Sequence, residues 1–462
     1  MSPRMPNSEG SEELSASKRP DAARDGSGAG PGLPPGIGSR AAALDLLRLT
    51  GEGRTLDDAL ETCRSFAALE GSDRGFARAI ASTTLRRRGT LDGVIDSYLR
   101  EPLKRRQAHI RDILRITAAQ LCLMDTEAHA AAWSAVELAK LRAESQGYTK
   151  LVNAVARRMA QTGKAKAEGA ALRADTPGWL WRRLARAHGA KTAGLIAGSH
   201  RKEPPLDLSL KDPDAAPPWP EDVTAQRLGR RTVRMRSTRV AELPGYEEGA
   251  FWVQDLAASL PADILAPAEG SDVLDLCAAP GGKTMQLAAL GARVTAVDSS
   301  EMRLRRLERN LARTGLAADV VQADVLTWEP RAAVSHILLD APCSATGTIR
   351  RNPDLLWTSR EDQLPGLTRL QAAMLDRAAD FLRPGGHLVY AVCSLLPEEG
   401  EEQVEALLAR RDDMRRVPIT GAEVGGLPVL AKSGDVRCLP HRLPAEGGMD
   451  GFFISRLEKT SP

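Results

Sequence analysis

The chain has 462 residues, 42% of them hydrophobic and 27% charged, so at about 150 residues per domain it allows about three domains with ample cores. No stretch approaches the ~18 consecutive apolar residues of a membrane span. The 63 Lys and Arg against 60 Asp and Glu give +3, which argues against a strongly basic nucleic-acid binder, and six scattered cysteines suit a reducing cytoplasm better than a disulfide framework.

Residues 1–36 are rich in Gly, Pro, Ser and Ala, with Leu33 the one aliphatic residue after Leu14. They lack a signal-peptide core and are expected to be a disordered tail. From about Ser39 to Gln161 apolar residues recur at i, i+3 and i+4, as in "RAAALDLLRLT", "RRQAHIRDILRITAAQLCLMD" and "TKLVNAVARRMAQ", which predicts an all-helical domain over 37–165. Thr90 is the expected cap of the helix carrying Leu91, Val94 and Ile95. The Lys, Ala and Glu of 162–176 read as a linker. Over 177–250 a helix opening near Pro177 is followed by alternating "PPLDLSLK" and "RTVRMRSTRVAEL", a small α/β connector. Residues 251–460 alternate strands with helices: "SDVLDLCAAPGGKT", "GARVTAVDSS", "ADVVQADV", "VSHILLDAPCS" and "GGHLVYAVCSL" are five apolar strands, and "GFFISRLEK" a final one. This predicts a mainly parallel, doubly wound sheet, so the whole is an α plus α/β multidomain chain.

Ligands of such sheets lie at the carboxyl ends of the strands. Three strands end in Asp275, Asp298 and Asp324, and the turn Ala279-Pro280-Gly281-Gly282 lets backbone approach a ligand closely. Asp298 stands where an acid takes ribose hydroxyls, and Asp324 where one could take an adenine amino group. Each such Asp taken alone also suits a helix cap. As a set they resemble the S-adenosylmethionine site of class I methyltransferases. A Walker A loop competes, because "CAAPGGKT" differs from G-x-x-x-x-G-K-T only by Cys277 at the first glycine, and "HILLD" imitates a Walker B strand. Against it, that glycine matters for wrapping phosphates, and Asp298 would have no role.

Cys343 in "DAPCSATG" and Cys393 in "YAVCSLLPEEG" directly follow the fourth and fifth strands, so adjacent strands would bring both thiols to one edge. Cys63 and Cys122, within helical stripes, read as small hydrophobes. Without a Cys-x-x-Cys partner or nearby His pair, the strand-end thiols suit nucleophilic chemistry better than a metal, and none is expected.

"DLCAAPGGKT", "DAPCSATGTIRRNPDLLW" and "YAVCSLLPEEGEEQVEALL" resemble motifs of the RNA (cytosine-5) methyltransferase family. The pattern "LRRRGTLDGVID…ILRITAAQLCLMD…HAAAWSAVELAK…LVNAVARR" resembles the helical NusB domain. Together with "LPGYEEGAFWVQDLAASL" they resemble the family's branch that acts on small-subunit ribosomal RNA, over about Ser39 to Leu457. The chain departs at Gly400, where the family usually has Asn, and at Val392, where it usually has Thr. The resemblance implies an N-terminal NusB-like domain and a C-terminal Rossmann-like class I methyltransferase domain. It implies methyl transfer from S-adenosyl-L-methionine to C5 of a cytosine, in 16S ribosomal RNA or alternatively in tRNA. Cys393 matches the family nucleophile, which attacks C6, and Cys343 the cysteine implicated in product release. A thiol ordinarily titrates at ~8.5, so the mechanism calls for a lowered value at Cys393. Asp340 is suited to the N3/N4 edge of cytosine, and Lys283 to the cofactor carboxylate or the base. Cys277, Ala278, Ala279, Pro280, Gly281, Gly282 and Lys283, with Asp298, Asp324 and Asp340, form the expected cofactor contacts.

A flipped or unpaired cytosine is the expected target. Basic clusters at Arg86–Arg88, Lys104–Arg106, Arg157-Arg158, "GRRTVRMRSTR" and Arg350-Arg351 are candidate holds on the RNA backbone, though any one of them also suits a solvated face. Arg350 and Arg351, directly after the catalytic loop, and Arg87 and Arg88 are the expected RNA contacts. A cytoplasmic monomer without a membrane partner is expected.

Overall fold

The computed structural model describes residues 33–219, 224–235 and 239–461, so all but the last few residues of the expected tail lie outside it. The N-terminal part is helical throughout. Helices Ile37–Gly51, Gly71–Arg86, Arg88–Asp96, Ala108–Leu123, Ala128–Lys140 and Thr149–Glu168 bury one core, in which Leu46, Ile80, Leu91, Ile95, Ile113 and Val152 are fully enclosed.

Two local expectations need correction. Residues 162–168 are the last turns of helix Thr149–Glu168. Lys, Ala and Glu are strong helix formers, so a composition that reads as a linker also continues a helix once one face is packed. Ala167 is buried, and Gly163 passes so close to Cys122 that a Cβ would sit 2.9 Å from its Sγ. Thr90 lies inside helix Arg88–Asp96 and is not its cap. The cap comes from the supposed linker: the buried carboxylate of Asp175 accepts from the Thr90 N–H and Oγ1, both at 2.7 Å, and from Arg87 Nε at 3.1 Å. A distant acid thereby satisfies an N–H that a helix start leaves unpaired.

Helices Gly178–His188 and Ala190–His200 lead into four short strands, β1 (Leu206–Leu210), β2 (Ala225–Leu228), β3 (Thr232–Met235) and β4 (Phe251–Val253). They pair antiparallel in the order β2-β3-β1-β4.

The second sheet holds β5 (Asp272–Leu276), β6 (Arg293–Asp298), β7 (Asp319–Gln322), β8 (Val334–Asp340), β9 (Leu382–Val392), β10 (Met414–Arg416), β11 (Val436–Cys438) and β12 (Phe452–Lys459). Its order is β10-β12-β9-β8-β5-β6-β7, with β11 also beside β12. β5 to β9 run parallel, and β12 closes the sheet antiparallel to β9. β5, β8 and β9 are apolar on both faces because helices cover both sides. From β5 the chain winds outward through β6 and β7, then returns to place β8 on β5's other side. This reversal opens a crevice at the carboxyl ends of β5 and β8.

The helical part is bonded to the segment that follows the Cys343 loop. Buried Arg86 donates to the carbonyl oxygens of Arg350 (2.6 Å), Lys202 (3.1 Å) and His200 (3.3 Å). Trp357 Nε1 donates to Leu85 O at 2.7 Å, and the Leu56 N–H to Asp354 at 3.1 Å. Among the described residues, no helix is long and apolar enough to cross a membrane.

Two glycines of helix Arg88–Asp96 should respond oppositely to alanine. A Cβ on Gly89 would fall 1.8 Å from Ala174 O, whereas one on Gly93 meets nothing within 4 Å. Gly89→Ala is expected to destabilise by about 1–3 kcal/mol or more, and Gly93→Ala to stabilise by about 0.5–1 kcal/mol. Urea unfolding of both variants checks the pair; equal effects would contradict this packing.

Candidate active site

β8 and β9 pair in parallel register with Asp340 opposite Ala391, so the loops leaving them start side by side. Cys343 follows β8 by three residues and Cys393 directly follows β9, and their Sγ atoms lie 3.5 Å apart as free thiols. Gly347 N–H donates to Cys393 O at 2.9 Å and Gly451 N–H to Gly347 O at 2.8 Å. Only glycine fits at 347, because a Cβ would lie 1.9 Å from Gly451 O. The hydrogen bond to Cys393, together with burial, pushes the Cys343 thiol well up.

Across the crevice Lys283 Nζ donates to Asp340 Oδ2 at 2.8 Å and stands 5.2 Å from the centre of the Phe452 ring. Burial alone would lower the ammonium's pKa. The Asp340 charge and hydrogen bond outweigh it, with smaller help from Cys393 and Asp275, and hold the lysine protonated above its ordinary range. A cavity of about 520 Å³ opens here, lined by Lys283, Asp340 and the turn residues Ala278, Ala279, Pro280 and Gly282. Its size suits a nucleoside-sized ligand. Gln254, Asp255 and Asp450 also line it. Sequence reading passed over these three, although a carboxylate inside the apolar runs "WVQDLAASL" and "MDGFF" is a readable signal.

Asp298 and Asp324 do not line this cavity. Asp298 is buried at the end of β6 and accepts from the N–H groups of Ala279 (3.2 Å) and Ser300 (2.9 Å) and from Arg303 (2.9 Å). Asp324 is exposed beyond β7, its Oδ1 accepting from the Leu326 N–H at 3.0 Å. Cys277 and Gly281 take positive φ, 64° and 102°, to make the turn. The N–H groups of Cys277 and Ala278 donate to Val297 O at 2.8 and 3.1 Å. With Ala279 N–H on Asp298, these amides point at β6 and a buried carboxylate, an arrangement that repels a phosphate. The Walker A reading fails on this geometry.

The four arginines expected on RNA are engaged within the protein. Arg350 is only 2% exposed and lies 3.9 Å from Asp450. Arg351 binds Asp255 at 2.6 Å and Asp450 at 3.2 Å. Arg87 binds Asp175 at 3.1 Å, and Arg88 stacks on Trp357 with 4.9 Å to the ring centre. For Arg350 and Arg351 the physical reason is that Asp255 and Asp450 are buried, and buried carboxylates require cationic partners. Gly400, where the family usually has Asn, also has a local reason. A Cβ there would come within 2.8 Å of the Phe453 ring and 2.7 Å of Arg437.

Two family models match the chain: "16S rRNA methyltransferase RsmB/F" over residues 262–458 and "NusB family" over residues 38–161. Proteins named ribosomal RNA small subunit methyltransferase B are similar to it along nearly their whole length. That of Serratia proteamaculans is 34% identical over 90% of this chain and 97% of its own, and that of Shewanella oneidensis is 34% identical over 85% and 92%. Among solved structures, that of PH0851 superposes with TM-score 0.70 at 23% identity, covering 92% of this chain and 99% of that one. NSun6 from Pyrococcus horikoshii with SFG gives 0.54 at 21% identity, covering 62% and 99%; both likenesses speak for the fold alone.

Asp275, fully buried beneath the turn, accepts from Thr284 Oγ1 at 2.6 Å, and burial raises its pKa to about 7. The unfolded chain releases this proton near pH 4. The folded protein therefore holds one more proton between about pH 4 and 7, and stability falls as pH rises through that window. Asp275→Asn should match the parent's stability near pH 3, below the window, and be more stable by about 1–4 kcal/mol at pH 8. A difference that does not change with pH would contradict this.

Proposed function

The chain belongs to the RsmB/F family of 16S rRNA methyltransferases and carries a NusB-family domain, and on that premise we propose that it methylates C5 of a cytosine in 16S rRNA through a covalent bond between Cys393 and C6. The carrying observation is the pair of strand-end thiols 3.5 Å apart beside the Lys283–Asp340 pair. S-adenosyl-L-methionine, when bound, supplies the electrophilic methyl group. The small-residue turn Cys277–Gly282 with Lys283 would hold it; for its nucleoside the candidates are Asp298, at the end of β6, and Asp324, just beyond β7, both outside the cavity lining. The turn fits a close ligand, because Ala278, Ala279, Pro280 and Gly282, all with short side chains or none, line the cavity.

C5 of cytosine is a poor nucleophile. Addition of the Cys393 thiolate to C6 breaks the aromaticity and makes C5 enamine-like, so that it can take a methyl group. Loss of the C5 proton to a base then restores the ring and expels the thiolate. Asp340 is placed to hold the N3/N4 edge of the base. Lys283, kept cationic by Asp340, stabilises negative charge that builds on the ring. Cys343 touches Cys393 and is kept a neutral thiol by its surroundings, which suits a part in release.

The RNA backbone needs cations that no carboxylate has claimed. Lys104, Arg105 and Arg106 are exposed, and among the described residues none of them makes an ion pair. Lys104 and Arg106, with Arg100, Arg158 and Tyr98, rim a groove of about 650 Å³ on the helical domain. We assign the phosphate contacts to this loop.

Cys393→Ala should abolish methyl transfer and adduct, and undiminished transfer would remove it as nucleophile. Cys343→Ala should accumulate a protein–RNA adduct that survives denaturing electrophoresis; clean turnover without adduct would remove the release role. Replacing Lys104, Arg105 and Arg106 by Gln should weaken RNA binding and lower the salt slope by roughly one for each phosphate no longer neutralised. An unchanged slope would place the RNA elsewhere.

A further inference from the structure

Beneath the two thiols lies a carboxylate that the chemistry above does not use. Glu399 is fully buried, behind the short helical turn Pro397–Glu399. Its Oε1 accepts from the Ser344 N–H at 2.8 Å and from Gln371 Nε2 at 3.1 Å. Its Oε2 accepts from Ser394 Oγ at 2.6 Å and from Ser344 Oγ. Ser344 follows Cys343, and Ser394 follows Cys393. Gln371 also donates to Pro342 O at 2.8 Å, so the residues on both sides of Cys343 are held. Tyr390 OH donates to Glu399 O at 2.6 Å and fixes the glutamate's own backbone. The tie is completed by Leu396 N–H on Ser394 Oγ at 3.0 Å and Leu395 N–H on Thr346 Oγ1 at 3.0 Å.

We propose that Glu399 is the positioning residue of this reaction: one buried carboxylate clamps the turns after Cys343 and Cys393 together and sets the thiol-to-thiol distance. The inference rests on the covalent reading above and extends it to a residue that touches neither substrate nor thiol. A carboxylate offers about four acceptor positions, and all four are taken here by donors from three segments. Glutamine offers acceptor positions on one oxygen only and turns an N–H₂ toward two donors, so it keeps the shape and breaks half of the clamp. Burial makes the loss matter, since a displaced donor finds no water to replace the carboxylate. The Glu399 charge also adds, after the Cys393 hydrogen bond and burial, to what keeps Cys343 a neutral thiol.

The test is single-turnover methyl transfer to an unmodified small-subunit RNA transcript. Cofactor affinity is measured by calorimetry and RNA affinity by filter binding. Glu399→Gln is expected to slow transfer by about 10²-fold with both Kd values unchanged, the cost of misplacing a reacting group by an ångström or so. It should also slow diamide-driven closure of a Cys343–Cys393 disulfide, a readout that a purely structural role elsewhere would leave alone. Ser344→Ala and Ser394→Ala, each removing one hydroxyl from the carboxylate, should fall between parent and Glu399→Gln. A folded Glu399→Gln enzyme that transfers within twofold of the parent overturns the proposal. If that variant does not fold, the Ser344→Ala/Ser394→Ala double variant carries the test: tenfold slower transfer at unchanged Kd supports the clamp, and parental transfer overturns it. Cys393→Ala, run alongside, separates the two ideas. If it is inactive while Glu399→Gln is not, the clamp falls and the covalent reading stands; if it is active, the covalent reading falls.

Discussion

The parallel pairing of β8 with β9 is the constraint on which the site depends. Register places Asp340 opposite Ala391, and from that one alignment the loops after both strands start at the same height on the same edge. Two cysteines 50 residues apart in sequence then meet at 3.5 Å. A two-residue slip would move one loop by roughly 7 Å and separate them. The apolar content of both strands, fully buried in Ile337, Leu338, Leu339 and Leu388 to Val392, therefore does more than stabilise the sheet. It fixes the distance between the two thiols.

A second pairing, β5 with β8, fixes the crevice in which Lys283 meets Asp340. The charges around it are arranged in layers. Asp207, Asp255 and Asp450 come from three distant parts of the chain and converge on Arg351, with Arg234 bidentate on Asp207. Arg350 sits beside them and offers its carbonyl to Arg86 of the helical domain. The segment after Cys343 is thus held from below by buried carboxylates and from the side by the NusB-family domain. A net charge of +3 describes none of this. Most arginines near the site are consumed inside the protein, whereas Lys104, Arg105 and Arg106 lie exposed on the helical domain.

Much of the fold was legible because period and punctuation are local properties. The helical stripe from Ser39 onward, the five apolar strands and the glycine turn after β5 can all be read from neighbours in sequence. The meeting of Cys343 and Cys393 was legible too, since consecutive parallel strands end at one edge. What escaped was everything decided by distant partners. The local pattern around Thr90 offers a cap, but Asp175, 85 residues away, takes that role. Nothing local to the Arg-Arg pair after the Cys343 loop tells that Asp255 and Asp450 are buried beside it and bind Arg351. Glu399 sits in an acidic run that reads as a solvated face, and nothing local tells that its carboxylate faces inward onto two serines.

The bond between Cys393 and C6 of cytosine is the central claim, and one measurement tests it most directly. An RNA carrying 5-fluorocytosine at the target keeps the C5 position from losing a proton, so the enzyme cannot release it after methyl transfer. Mass spectrometry of the digested complex then identifies the linked peptide. The expected result is one cross-linked peptide, with the nucleotide on Cys393 and a methyl group on the ring. A nucleotide on Cys343, or turnover without any covalent complex, would contradict the claim.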